Sequence, residues 1–161
     1  MAIPPEIPPE ISAQVPEAYR APALRRRIAL IAESYRHLLG EPLVAPSPDV
    51  VAALWQAPAA IVAHGTEADP VFFFGNRRAL ELFEYDVAGF TRTPSRLSAE
   101  APLREERQAL LDRVSAQGFI RDYAGVRIAA SGRRFRIADA VVWNLVDAGG
   151  ERRGQAAMFV A

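Results

Sequence analysis

Few side chains in this chain have chemical reach, and most of those are amides or imidazoles rather than nucleophiles. His64, Glu67 and Asp69 fall within one polar turn, His64-Gly65-Thr66-Glu67-Ala68-Asp69-Pro70. Imidazole and carboxylate suit zinc or iron. One short loop with no second histidine nearby offers too few donors, however, and a polar hairpin turn accounts for the same residues. The chain has no cysteine and 2 histidines, His37 and His64. Thiol nucleophiles, thiolate zinc sites, disulfides and thioether-linked cofactors are therefore excluded. No Gly-x-Ser-x-Gly elbow and no phosphate-cradling glycine loop occurs. That leaves the carboxamides Asn144 and Gln155, which donate and accept at once and so can read the polar edge of a heterocycle. Trp143 offers a ring to stack on. Each has a structural alternative, since buried amides often satisfy backbone groups and an apolar-strand tryptophan often belongs to a core.

The elements that position these groups follow from periodicity. Residues 1–22 are proline-rich with a doubled Ile-Pro-Pro-Glu, which predicts an extended, flexible tail, because proline fixes φ and removes a donor. Leu24, Ile28, Ile31, Tyr35 and Leu38 recur at helical spacing before Gly40, and Asp49 caps a second helix to Gln56; together these give a helical region over 23–57. Strands then begin. Ala59 to Ala63 and Val71 to Phe74 flank a Gly/Pro turn and form a hairpin. Asn76 caps a helix from Arg77 to Phe83, Asp86 caps a further turn, and a longer helix ends near Gln117 before Gly118. Val126, Ile128 and Ala130 alternate with polar neighbours, as do Phe135 and Ile137, and the last strand runs from Gln155 to Val160. Arg127, Arg133, Arg134 and Arg136 read as the solvent-facing side of the strands that carry Val126 to Ile137. Asp139 breaks the apolar face between Ile137 and Val141 and predicts a bulge. The fold class expected is α+β: a five-stranded antiparallel sheet over 58–161 with short helices packed on one face, preceded by the N-terminal helices.

A family comes into view in these segments. Gly75-Asn76-Arg77-Arg78-Ala79-Leu80-Glu81-Leu82-Phe83-Glu84-Tyr85 resembles the signature that follows the second strand of PAS domains. His64-Gly65-Thr66-Glu67, Thr93-Pro94-Ser95-Arg96-Leu97-Ser98, Arg104-Glu105-Glu106-Arg107, Gly118-Phe119-Ile120, Tyr123-Ala124-Gly125-Val126-Arg127-Ile128, Ser131-Gly132-Arg133-Arg134-Phe135-Arg136-Ile137 and Trp143-Asn144-Leu145 resemble the PAS-related MEKHLA domain. The likeness spans roughly 24–160, although Val87-Ala88-Gly89 is less polar than the family's acidic stretch there. It implies a PAS-like sheet whose concave side encloses a pocket, with His64, Asn76, Tyr123, Trp143, Asn144 and Gln155 as candidate ligand residues. It also implies a module that senses a small molecule, light or redox state, found as small stand-alone bacterial proteins and at the C-terminus of certain plant homeodomain–leucine-zipper regulators. A flavin or haem, the latter on His64, would be held without a covalent link, because no thiol exists to attach a chromophore.

Composition narrows the partners. Lys+Arg and Asp+Glu are both 19, and every basic residue is arginine, so no net charge draws the molecule to nucleic acid or an anionic membrane. No apolar run is long enough to span a bilayer, and Met-Ala-Ile-Pro-Pro-Glu is no export leader; a cytoplasmic location is expected. The function expected is a non-enzymatic sensory or interaction module that signals by association as a homodimer or with a signalling protein. A ligand-free dimerisation module and a small enzyme with an apolar cavity are the alternatives. The stripe Leu24, Ile28, Ile31, Tyr35 and Leu38 lies outside the sheet region and needs a cover, either the open face of its own sheet or a second chain. A dimer interface with C2 symmetry is the expectation.

Overall fold

In the computed structural model, which describes residues 11–99 and 104–161, every strand pairing is antiparallel. β1 (Ala60–His64) and β2 (Phe72–Gly75) make a hairpin, while β3 (Phe119–Ile128), β4 (Arg134–Val146) and β5 (Arg152–Val160) make a meander. Their spatial order is β2-β1-β5-β4-β3, so β5 lies between β1 and β4 and joins the two groups into one sheet. The helices α1 (Pro22–Leu39) and α2 (Val50–Gln56) precede β1. Between β2 and β3 come α3 (Arg77–Phe83), α4 (Val87–Phe90), a 3₁₀ turn at Ser95–Ser98 and α5 (Arg104–Gln117).

Local chemistry sets the boundaries. Pro22 opens α1, where its missing N–H costs nothing, and Gly40 closes it at φ 77°. The side chains of Asp49, Asn76 and Asp86 accept from Ala52 N, Ala79 N and Gly89 N at the starts of α2, α3 and α4. The expected bulge is present: the β4–β5 register shifts between Ala138 and Val141, with Asp139 at φ 52°. The extra residue changes the parity of β4, so that Ile137 before it and Ala140 and Val142 after it all reach the same cavity.

The short helices after β2 pack over one face of the sheet, as expected, and α1 covers the other. On the outer face α1 lies against β4, with Ile28 and Ile31 fully buried and Tyr35 nearly so. Trp143 donates its indole N–H to the Ile31 carbonyl at 3.0 Å, and its ring meets Tyr35 edge-on at 4.9 Å. Val146 N donates to the Ser34 hydroxyl at 2.9 Å. Ile28, Ile31 and Tyr35, expected in a dimer interface, are therefore spent on the chain's own sheet, with Leu24 and Leu38 packed at the margins of the same core. The physical reason is that a tethered helix covers Trp143 and Leu145 without the translational and rotational cost of association.

The proline-rich segment also differs from the expectation of a flexible tail over 1–22. Glu17–Arg20 forms a 3₁₀ turn that buries Tyr19 completely. The Tyr19 ring lies 4.9 Å from Phe74 and 6.0 Å from Trp55, and its hydroxyl both donates to Gly75 O and accepts from Gly75 N at 3.1 Å. Burial pushes the phenol well above its ordinary pKa, so it remains a neutral donor. Trp55 donates to Ser12 O at 3.2 Å, and the Gln56 amide donates to Ala13 O. Prolines forbid helix and ladder, but an extended chain can still dock through one aromatic ring and its own carbonyls. Residues 1–10 of the expected tail lie outside the described residues.

Tyr19→Ala should cost roughly 3 kcal/mol in denaturant unfolding, as truncation of a buried aromatic does, and Tyr19→Phe about 1 kcal/mol for the lost hydroxyl. A Tyr19→Ala midpoint equal to wild type would contradict the docking of this segment. Ile28→Asp with Ile31→Asp should abolish cooperative unfolding by circular dichroism, because both carboxylates would be buried against β4. A folded double variant that merely changes oligomeric state would instead restore the dimer interface.

Candidate functional site

The inner face of the sheet, opposite α1, carries a row set by register. His64 pairs with Gln155 and Gln155 with Asn144, so imidazole and two carboxamides stand side by side across β1, β5 and β4. One step along, Val62, Ala157 and Val142 make an apolar row. β5 passes so close to β1 that a Cβ on Gly154 would sit 2.2 Å from the His64 carbonyl, which only glycine permits. Over this face lie α3, the Ser95–Ser98 turn and α5, and between them is a cavity of about 60 Å³. Val62, Phe72, Phe83, Leu110, Ile137 and Phe159 form most of its apolar wall, while His64, Ser95, Ser98, Tyr123, Arg127 and Gln155 bring polar atoms to it.

Three of the six candidate ligand residues meet there: His64, Tyr123 and Gln155. His64 and Gln155 are buried, and Nδ1 of His64 lies 3.0 Å from the Gly65 carbonyl, which accepts its proton. Asn144 sits just behind, engaged on both sides of its amide. Its Nδ2 donates to Val114 O of α5 at 3.2 Å, and its Oδ1 accepts from Arg152 Nε at 3.2 Å and Gln155 Nε2 at 3.4 Å. It ties α5 to the sheet rather than facing a ligand.

The other two candidates do not reach the cavity. Trp143 neighbours Asn144 along β4, so pleating sends it to the outer face and α1. Asn76 is fully buried, and its four polar valences are used: Oδ1 accepts from Ile61 N and Ala79 N, and Nδ2 donates to Leu54 O and Ala59 O, all within 3.0 Å. It holds the fold together and is corrected from ligand residue to structural hub.

Arg127 was expected to face solvent but lines the cavity. Tyr123, Gly125 and Arg127 occupy alternate positions of β3, and a Cβ at Gly125 would lie 2.8 Å from the Tyr123 hydroxyl. The missing side chain lets the phenol lie along the strand and reach Arg127, which donates to it at 3.2 Å and stacks 5.4 Å from the ring centroid. The sequence signal was a Tyr-x-Gly-x-Arg spacing on one strand face.

Glu84 positions this strand. Its carboxylate accepts from the Ser131 hydroxyl and from Arg133 Nε at the β3–β4 turn, while Ala130 N and Arg133 donate to Phe83 O and Leu82 O at 2.8 Å. The turn is thereby clipped to the end of α3.

The metal reading of the polar turn finds no support: no group of three His, Asp or Glu among the described residues is placed to hold an ion. Asp69 instead pairs with Arg96 at 3.1 Å. Flavin and haem do not fit either. Pockets for such ligands run to roughly 300 Å³ or more, and this cavity is about 60 Å³. No helix among the described residues is long and apolar enough to cross a membrane.

The model of the MEKHLA domain matches residues 25–161. This chain belongs to the MEKHLA domain family. "Homeobox-leucine zipper protein HOX29" of Oryza sativa, in subspecies japonica and indica alike, is 26% identical over 147 residues, covering 88% of this chain and 16% of the rice protein. The MEKHLA chain therefore spans about a sixth of the length of these relatives. Among solved structures, the PAS domain of a Colwellia psychrerythraea protein superimposes with a TM-score of 0.59 at 14% identity, covering 67% of this chain and 89% of that one. A light-oxygen-voltage domain studied with a flavin analogue does so with a TM-score of 0.57 at 15% identity, over 70% and 84%. At such identities the likeness establishes the PAS-like fold, with its five-stranded sheet and helices, as the MEKHLA resemblance implied.

The Ser131 hydroxyl, above all, holds the Glu84 carboxyl below its ordinary pKa. A depressed folded-state pKa contributes stability that is present above the unfolded glutamate range and is lost as pH falls through the folded value. The difference in melting temperature between wild type and Glu84→Gln should thus be full near neutrality and close in acid. A gap unchanged on acidification would show that the carboxylate charge is irrelevant to the clip.

Proposed function

We propose that this MEKHLA chain is a non-catalytic, cytoplasmic sensory module that takes a small molecule without covalent attachment and signals through protein association. The observation that carries this reading is the cavity itself: an apolar chamber bounded by the sheet and α5, with a few polar groups converging on it, which is the composition of a ligand site. Its size suits a ligand of a few heavy atoms. A cavity of about 60 Å³ holds about two waters at liquid density.

α5 is the natural reporter. Among its described side chains only Leu110 and Val114 are buried, and both pack with Ile120 and Val142. Leu110 and Leu111 line the cavity, while the Val114 carbonyl holds the Asn144 amide. A ligand that shifts Leu110 thus bears on a helix with a narrow seat, and a partner reading the exposed side of α5 would register the change. The similarity to part of a homeobox–leucine zipper protein is consistent with a regulatory module that works alongside other protein segments.

Ala157→Leu fills the chamber from β5 and should leave a folded protein that no longer takes a small apolar probe. The check is xenon titration of methyl-labelled protein: in wild type the Leu110 and Val142 signals should move, and in Ala157→Leu they should stay. A wild-type spectrum indifferent to xenon would defeat the pocket reading.

A further inference from the structure

We propose, building on the pocket reading, that the ligand is a small organic acid whose carboxylate binds Arg127 and the Tyr123 hydroxyl while its short apolar chain enters the chamber. Four arginines, Arg127, Arg133, Arg134 and Arg136, cluster at the turn end of the β3–β4 hairpin, and Arg127 differs from the others in direction. Arg134 and Arg136 flank Phe135 and are exposed, whereas Arg127 pairs across the strands with Phe135, the residue that points inward. Nothing in strand alternation alone calls for a guanidinium on this face, beside Ile137 and Val142.

The group is also held ready. Gly125 leaves the space in which the Tyr123 phenol lies, the phenol accepts from one guanidinium nitrogen at 3.2 Å, and the Val126 carbonyl accepts from the other at 3.1 Å. A guanidinium carries five donors, so donors remain after these contacts. No carboxylate among the described residues lies within ion-pair distance of Arg127, although Arg133 and Arg153 are each so paired. None of the described residues lining the cavity is acidic. A cation fixed in orientation, half shielded from water and without an internal counter-ion favours an anion, and a planar fork matches the two oxygens of a carboxylate. The chamber behind it is apolar and short, room for a chain of roughly three carbons. Together these features select butyrate-like acids over their neutral analogues.

The test uses the full chain labelled with ¹⁵N, titrated near pH 7 with butyrate and with butyramide, which has the same shape and no charge. The signals to follow are the Gln155 side-chain amide and Arg127 Nε–H. Butyrate should bind about tenfold or more tightly than butyramide, the value of a hydrogen bond to a charged group. Arg127→Gln should erase that preference, and Arg127→Lys should restore part of it, while both stay folded. Equal binding of the two probes would overturn the acid and leave the pocket reading standing. Xenon uptake without response to either probe would do the same. A protein that takes up neither xenon nor butyrate would overturn both.

Discussion

The carboxamide of Asn76 is the interaction on which the rest of the architecture hangs. It sits at the turn from β2 into α3, and through four hydrogen bonds it joins the end of α2, the start of β1 and the first turn of α3. Its own N–H donates to Ile61 O, so backbone and side chain together lock this junction. A carboxamide has two donor hydrogens and one oxygen with two lone pairs, and here all are used at zero exposure. Aspartate lacks the donors, and leucine would orphan four backbone groups. Because α3 starts at this point, the direction of its Phe83 into the aromatic group of Phe72, Phe90, Phe135 and Phe159 follows from the same residue.

From that junction the molecule divides its work between the two faces of one sheet. The outer face is covered by α1, held by Trp143 and Ser34. The inner face is left incompletely filled, with small residues Ala140 and Ala157 at its centre and polar side chains along one margin. β1 is buried along its whole length because it lies under cover on both sides, which is why its sequence reads as a continuous apolar run rather than an alternating one.

The order of elements, the antiparallel pairing, the caps at Asp49, Asn76 and Asp86 and the bulge at Asp139 were all legible, because each is a local or period-two signal. The MEKHLA segments gave the PAS-like arrangement as a resemblance, which the fold bears out. What was not legible is instructive residue by residue. Trp143 and Asn144 were both expected at one pocket, yet adjacent residues on a regular strand point to opposite faces, so one of them had to leave. Asn76 carries the same group as Asn144 and was judged by chemistry, when its position before a helix already committed its oxygen. Tyr19 was hidden by the prolines around it, since average composition says nothing about one ring with a hydroxyl partner 56 residues away. The stripe of α1 announced that it needed a cover but not whose, a question that only the geometry of β4 answers.

The place of β5 has a consequence for how such a sheet comes into being. It is the last of the five strands in chain order, yet it lies between β1 and β4. Until β5 pairs with β1, the β1–β2 hairpin and the β3–β4–β5 meander each keep an unsatisfied inner edge. The β1–β5 pairing closes both edges at once, across a sequence distance from Ala60 to Phe159. Closure over so long a separation is slow in two-state folding. The long-range β1–β5 pairing is thus what hides two strand edges that would otherwise be open to other chains.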